Sequence, residues 1–283
     1  MYICGQKNLL ERFDALVGND KFPRFIILVG NKGTGKKLLA DYISRKINAN
    51  FVPCGIKAED VRDIVFNAYS VSEKTLYMFF DCDDMSVVSK NTLLKVTEEP
   101  PNNSYFVMTV QDISTVLPTI VSRGTVFYME PYTQDDSINF IEHKRYEFTD
   151  VQKKIVLNIC TNPEEVTIAS KTDIENVYNL ADKFIQFIGT ANMSNELKIV
   201  TMLNTKKDDL DKVDPIMFMR CVMLCCNNYI CQQCNLEDAK AYHSIIFMTS
   251  KYLSELLTKG TSKQMVLDNW IVDTHMKISG GEF

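Results

Sequence analysis

Residues 30–37, which read Gly-Asn-Lys-Gly-Thr-Gly-Lys-Lys, constrain the fold of this chain more than any other stretch. The apolar run Phe25–Val29 precedes them, and residues 38–47 carry apolar side chains at helical spacing. This order predicts a buried strand, a glycine-rich turn and the N-terminus of a helix. In such a turn, backbone N–H groups converge on an anion and the helix dipole adds to the attraction. The sequence therefore predicts a phosphate-binding turn at Gly30, Gly33, Gly35 and Lys36.

The last position of this turn departs from the P-loop pattern G-x-x-x-x-G-K-[ST]. In that pattern the final hydroxyl binds Mg²⁺, but this chain has Lys37 there. The departure predicts a P-loop fold that does not hydrolyse nucleotide by itself. Binding of ATP or ADP without hydrolysis stays open, since Lys37 could supply positive charge in place of Mg²⁺ or could simply fill the site.

Composition limits the class of protein. A length of 283 residues suits two or three domains with real apolar cores. The net charge is −5 and the basic residues are scattered, which argues against strong nucleic-acid binding by this chain alone. No apolar segment is long enough for a membrane span, and the N-terminus does not read as a signal peptide, so a cytoplasmic protein without a membrane partner is expected. The nine cysteines are then expected to be reduced thiols.

Strand and helix patterns alternate up to residue 131, which predicts an α/β domain with a parallel sheet and helices on both faces. The predicted strands are 24–29, a short one near 51–52, 76–80, 105–110 and 125–129. Only helical patterns follow, with predicted N-caps at Thr133, Asp150 and Asp173. The expected domains are a core at 1–131, a small helical domain at 132–190 and a terminal helical domain at 191–283, with helices near 195–204, 214–234, 238–258 and 262–273.

The third predicted strand, residues 76–80, is followed by Asp81, whose carboxylate is placed to hold Mg²⁺ or its water beside the glycine-rich turn. In P-loop ATPases of this type a glutamate usually follows and polarises the attacking water. Here Cys82 follows, and a thiol is a poor substitute. Residues 161–165 contain no arginine either. Together with Lys37, these departures predict a catalytically silent nucleotide fold.

Two stretches carry a specific resemblance. Residues 81–86 (Asp-Cys-Asp-Asp-Met-Ser) and 91–101 (Asn-Thr-Leu-Leu-Lys-Val-Thr-Glu-Glu-Pro-Pro) resemble the delta-prime family of DNA polymerase III clamp-loader subunits. Gly5-Gln6 and residues 117–124 follow in the family's order. The resemblance covers residues 5–131. It implies an AAA+ module, with 1–131 as its core and 132–190 as its lid, and a collar domain at 191–283 that joins five subunits in a ring.

The resemblance also implies roles for individual residues. Ser122-Arg123-Gly124 matches the family's Ser-Arg-Cys motif with glycine in place of cysteine, so Arg123 is expected to act in trans as an arginine finger on the neighbouring subunit's ATP. Thr109 matches the polar position that senses the terminal phosphate. By contrast, Glu98 and Glu99 are interpreted as a solvated helix end.

The expected function is therefore that of a subunit without ATPase activity of its own in a clamp loader of DNA replication. The implied partners are the other loader subunits of a hetero-pentamer, the sliding clamp, and primer-template DNA through the complex. The alternative is an ATP-hydrolysing AAA+ protein, either a gamma-like loader or a remodelling ATPase, whose turn tolerates Lys37.

A cysteine cluster near the C-terminal third invites a zinc interpretation. Its members are Cys221, Cys225, Cys226, Cys231 and Cys234. Their spacing matches no standard zinc finger, and several of them fall on one helical stripe. Buried thiols are therefore predicted, and no metal site is expected.

Overall fold

The computed structural model describes residues 2–19, 21–188, 213–232, 235–258 and 261–280, together with Lys198 and Leu203. The chain divides into two compact units. The first unit comprises residues 1–143 and 161–165, and the second comprises residues 144–160 and 166–283. The division into a core, a lid and a collar stays a prediction.

The first unit contains a five-stranded parallel sheet in the order β2-β3-β4-β1-β5. The strands are β1 Phe25–Val29, β2 Asn50–Cys54, β3 Thr75–Phe79, β4 Ser104–Val110 and β5 Thr125–Tyr128. Every residue of β1, β3 and β4 is buried. Such strands need cover on both faces, so the predicted sheet is confirmed.

Two hydrophobic clusters cover the two faces of this sheet. Along β1, Phe25 and Ile27 belong to one cluster, whereas Ile26 and Leu28 belong to the other. This alternation follows from the two-residue period of a strand. The helices of this part of the chain are α1 Lys7–Gly18, α2 Lys36–Lys46, α3 Ala58–Ala68, α4 Val87–Glu98, α5 Pro118–Val121 and α6 Gln134–Lys144.

Two of the three N-caps predicted after residue 131 are confirmed. Asp173 is an N-cap, as predicted, and Thr133 and Asp136 exchange the bonds of a capping box. The prediction for Asp150 was wrong, because Thr149 caps that helix and Asp150 is its first residue. The Thr149 hydroxyl accepts from the Gln152 N–H at 3.2 Å, and the Gln152 side chain accepts from the Thr149 N–H at 3.1 Å.

The described residues of the second unit are almost entirely helical, apart from one isolated bridge between Leu203 and Val213. An aromatic cluster forms its centre, in which Phe184 stacks on Trp270 at 5.0 Å and meets Phe218 edge to face. Its helices are α7 Asp150–Ile159, α8 Pro163–Ala169, α9 Ile174–Phe187, α10 Pro215–Cys231, α11 Leu236–Leu257 and α12 Lys263–Ser279. The helix predicted at 195–204 lies outside the described residues except for Lys198 and Leu203.

In the described part of the chain, no helix combines the length and apolar character that a membrane span requires. The predicted helix 262–273 extends further, to Ser279.

Candidate functional site

The glycine-rich turn lies at the carboxyl end of β1, where the sequence predicts it. Gly33 and Gly35 have positive φ angles of +83° and +85°, and Gly35 is the N-cap of α2. At Gly30 a methyl group would lie 2.6 Å from the Met129 side chain. The backbone path therefore requires glycine at these positions, and the turn has the shape of a phosphate-binding loop.

The Lys36 ammonium contacts the turn itself. Its Nζ donates to the Gly30 carbonyl oxygen and, at 2.8 Å, to the Asn31 carbonyl oxygen. Burial lowers the pKa of Lys36, while the carboxylates of Asp81 and Asp83 act in the opposite direction. Lys36 is thus close to the acidic residues that follow β3, as the sequence predicts for Asp81.

Lys37 stands at the position of the missing hydroxyl, and its ammonium group lies over the aromatic ring of Phe80. Its side chain is exposed, and its Nζ lies 5.6 Å from the centroid of the Phe80 ring. A cation over a ring face is held by the ring quadrupole. Lys37 therefore supplies no Mg²⁺ ligand, and its charge is directed to Phe80.

Asp81 and Thr109 contact each other. The Asp81 N–H donates to the Thr109 hydroxyl at 3.1 Å, and that hydroxyl lies 3.5 Å from the Phe79 carbonyl oxygen. Thr109 is buried, whereas Asp81 is exposed and has a left-handed backbone with φ +50°. The structure thus joins Lys36, Asp81 and Thr109 at one end of the sheet.

Cys82 faces the hydrophobic core. Its exposed fraction is 0%, and its Sγ lies 3.4 Å from the Phe79 carbonyl oxygen. Burial raises the pKa of the Cys82 thiol well above its ordinary value. A neutral thiol in the core cannot accept a proton from a water molecule at the glycine-rich turn.

Asp83 and Lys90 hold the loop that leads to α5, and the sequence did not reveal this role. The Asp83 carboxylate accepts from the Gln111 N–H at 2.9 Å, from the Asp112 N–H at 3.1 Å and from the Thr115 hydroxyl at 3.3 Å. Lys90, only 6% exposed, donates to the Thr115 carbonyl oxygen at 2.7 Å. One sequence signal could have indicated this role: Lys90 lies on the buried side of α4, and a buried ammonium requires a hydrogen-bond acceptor.

Arg123 lies between α5 and β5, the edge strand, and its guanidinium forms two contacts. One nitrogen pairs with Glu98 at 2.6 Å and the other donates to the Thr119 carbonyl oxygen at 2.6 Å. The side chain of Arg123 is 34% exposed and that of Glu98 is 52% exposed. Glu98 and Glu99 are exposed at the end of α4, as the sequence predicts, and Glu98 in addition pairs with Arg123. Close packing requires glycine at 124, since a methyl group there would lie 2.9 Å from the Phe25 ring.

Three cysteines of α10 are buried, as predicted, but the prediction of a buried thiol was wrong for Cys231. Cys221, Cys225 and Cys226 are buried and Cys231 is exposed, while Cys234 lies outside the described residues. Burial raises the pKa of Cys225 and of Cys226 to about 12. Among the described residues, no three His, Cys, Asp or Glu side chains are grouped so that they could hold a metal ion.

Comparison with known proteins identifies relatives for this arrangement. The model of a family described as "DNA polymerase III, delta subunit" matches residues 54–133. DNA polymerase III subunit gamma of Buchnera aphidicola (from Schizaphis graminum) is 26% identical over 172 residues, which are 50% of this chain and 47% of that protein. DNA polymerase III subunit tau of Escherichia coli K12 is 21% identical over 238 residues, 73% of this chain and 36% of that protein. The chain spans about half or less of the length of these relatives.

This chain resembles the clamp-loader subunits of DNA polymerase III. The expected resemblance is thus confirmed for clamp-loader subunits in general, whereas the assignment to the delta-prime family stays a prediction. A gamma subunit-related protein from Thermotoga maritima has a TM-score of 0.53 at 13% identity and covers 97% of this chain and 100% of its own. The RuvB Holliday junction branch migration motor of the same organism has a TM-score of 0.51 at 16% identity, with coverage of 74% and 72%. The fold is that of P-loop AAA+ proteins with C-terminal helices.

The group that this fold implies is ATP with Mg²⁺, and the residues present do not fit it. Position 37 offers a lysine on an aromatic ring in place of a metal-binding hydroxyl. Position 82 offers a thiol directed into the core in place of a carboxylate at the site. Of the groups that such chemistry requires, Asp81 and Lys36 are present beside the turn, together with Thr109.

Proposed function

We propose that this chain is a delta-prime-like subunit of a DNA sliding-clamp loader and that it does not hydrolyse ATP by itself. The observation that carries the proposal is the direction of Cys82. Since its Sγ points to the Phe79 carbonyl oxygen inside the core, no side chain at position 82 activates water. The family match over residues 54–133 supports the assignment to DNA replication.

Within the loader, Arg123 acts on the ATP of a neighbouring subunit. A guanidinium keeps its charge, offers a planar fork to phosphate oxygens and needs no glycine-rich turn of its own chain. Two observations support this role: a third of the Arg123 side chain is exposed, and Glu98 and Thr119 hold its guanidinium in a defined orientation. The remaining N–H groups are available for phosphate oxygens.

The proposal includes the partners that such a subunit requires. These are the other loader subunits of a hetero-pentamer, the sliding clamp, and primer-template DNA reached through the complex. Residues 191–283 serve as the collar that joins the subunits, residues 132–190 serve as the lid, and the protein acts in the cytoplasm.

The names of the relatives favour a second candidate, an ATP-hydrolysing gamma-like subunit. Several of its relatives are named DNA polymerase III subunit gamma or tau. In that case the chain would turn over ATP with Lys36 and Asp81 alone, despite the lysine at position 37 and the buried thiol at position 82.

A steady-state ATPase assay on the purified chain separates the two candidates. We expect no turnover above background, with and without Mg²⁺, because no group at the turn activates water. The control is Lys36→Ala, since contaminating ATPase activity would persist in that variant. Turnover that disappears with Lys36→Ala would establish the gamma-like function instead.

A further inference from the structure

Residues 161–165, which follow the five strands in the sequence, contact the glycine-rich turn. Residues 161–165 belong to the first unit, although the residues on both sides of them belong to the second. This segment, Thr-Asn-Pro-Glu-Glu, contains the start of α8. It therefore packs with the sheet and its turn.

The contact with the turn is made by two side-chain oxygens at Gly33. A methyl group placed on Gly33 would lie 2.6 Å from Oδ1 of Asn162 and 2.9 Å from Oε2 of Glu164. Both atoms are hydrogen-bond acceptors, and the second belongs to a carboxylate. The loop that should receive the oxygens of a phosphate thus already has an amide oxygen and a carboxylate oxygen beside it.

Hydrogen bonds within the segment hold these oxygens in place. Asn162, 7% exposed, accepts from the Glu165 N–H at 3.0 Å. The Glu165 carboxylate accepts from the N–H and the hydroxyl of Thr161, at 2.6 Å and 3.0 Å. The bond from Glu165 to Asn162 is the N-cap bond of α8, and the bonds from Thr161 to Glu165 hold the residue before the cap. Glu164 lies in the first turn of this capped helix, so the position of its carboxylate is set before any ligand arrives.

Charge makes Glu164 the more important of the two residues. The turn attracts anions through its N–H groups and the N-terminus of α2, and Lys36 adds a positive charge that Asp81 and Asp83 already oppose. A further carboxylate beside Gly33 adds repulsion toward a triphosphate at short range. The amide of Asn162 has no charge and contributes by occupying space.

We propose that Glu164 and Asn162 form a built-in cover on the glycine-rich turn and that the charge of Glu164 excludes nucleoside triphosphates from it. The inference deepens the proposed function and rests on its silent site. In the unchanged chain Glu164 therefore keeps the affinity of the turn for ATP low.

The test is equilibrium binding of a fluorescent ATP analogue, mant-ATP with Mg²⁺, to the full chain followed by fluorescence anisotropy. Glu164→Gln keeps the shape of the side chain and removes its charge, and it leaves the Asn162 cap intact. We expect Glu164→Gln to bind mant-ATP at least about tenfold more tightly than the unchanged protein. The matched control is Glu59→Gln, which removes an exposed carboxylate from the first turn of α3 and should leave binding unchanged.

The double variant Glu164→Gln/Lys36→Ala locates the gain. If the gain is lost there, mant-ATP binds at the turn, whereas persistence of the gain overturns the inference. A gain in affinity below tenfold overturns the inference as well. This holds whether the unchanged protein already binds mant-ATP tightly or neither protein binds it. Should Glu164→Gln unfold by circular dichroism, Glu164→Ala takes its place. Tight binding of mant-ATP by the unchanged protein without ATP turnover contradicts this inference alone. ATP turnover that requires Lys36 also contradicts the proposed function.

Discussion

The glycine-rich turn and the corner at Arg123 belong to the same unit but differ in what they keep of a nucleotide site. The turn keeps the backbone shape, and the corner keeps a side chain. In the turn the backbone shape is intact, yet Lys36 contacts carbonyl oxygens of the turn itself and Lys37 lies on Phe80. At the corner the arginine that we propose as an arginine finger is present. The Arg123 guanidinium is held by Glu98 and remains a third exposed.

This difference shows that a fold and its chemistry depend on separate residues. The turn depends on glycines that permit positive φ angles and on the buried strand before it, and neither requirement involves catalysis. The corner depends on a short helix and one ion pair. Substitution at positions 37 and 82 can therefore silence the turn without disturbing Arg123, which we propose acts on a neighbouring subunit.

The largest effect on activity is expected at Arg123. In a reconstituted loader, Arg123→Ala should reduce ATP hydrolysis by the adjacent subunit by about 10³–10⁵-fold, the range of an arginine finger. Arg123→Lys should also be impaired, because it keeps the charge but loses the planar fork. Phosphate release by the assembled complex is the measurement.

The control for that experiment is Arg62→Ala on α3, an exposed arginine away from the corner. It should leave both assembly and hydrolysis unchanged. A loader with Arg123→Ala that hydrolyses ATP at the unmodified rate would contradict the role of Arg123.

The next largest effect is expected at Cys82. A repair suggested by the sequence of active ATPases, Cys82→Glu, should destabilise the protein by about 3 kcal/mol or more, because it buries a carboxylate without a partner. The thiol it replaces is fully buried against the Phe79 carbonyl oxygen. Urea unfolding followed by circular dichroism measures the loss.

Cys82→Ala is the matched control and should cost only about 1 kcal/mol, since it removes one small buried group. If Cys82→Glu is as stable as Cys82→Ala, the side chain at position 82 reaches solvent, and the turn has more catalytic capacity than its geometry indicates.

A smaller effect is expected at Asp83, which supports the loop that leads to the Arg123 corner. Asp83→Ala should lower the free energy of unfolding by about 2 kcal/mol, because two backbone N–H groups, those of Gln111 and Asp112, lose a charged acceptor. Asp63→Ala on the exposed face of α3 is the control and should change it by no more than about 0.5 kcal/mol. Equal losses in the two variants would show that the Asp83 bonds do not stabilise the loop.

The smallest effect is expected at Lys37. Lys37→Thr restores the hydroxyl of the P-loop pattern, yet it should change stability by no more than about 0.5 kcal/mol, since Lys37 is exposed. It should also produce no ATP turnover, because Cys82 still faces the core. Turnover gained by this single substitution would show that one missing hydroxyl silences the turn.

The sequence by itself determined the parallel sheet, the turn and most of the helix starts. The short continuous apolar runs at 25–29 and 76–80 are typical of strands buried on both faces. Cap chemistry is equally local. The Ser86 hydroxyl accepts from an N–H three residues later, and a pattern this short is visible in the chain. The boundaries were less certain, and β3 ends at Phe79 rather than at Phe80.

Only the tertiary structure decided where the side chains after the strands point and which distant residues meet. The direction of Cys82 depends on the left-handed backbone of Asp81, which no pattern of residue types specifies. Glu98 and Arg123 are 25 residues apart, and the contact of Glu164 with Gly33 spans most of the first unit's sequence. Local periodicity carries no information about such pairs, because they depend on how the sheet, α4, α5 and residues 161–165 pack together.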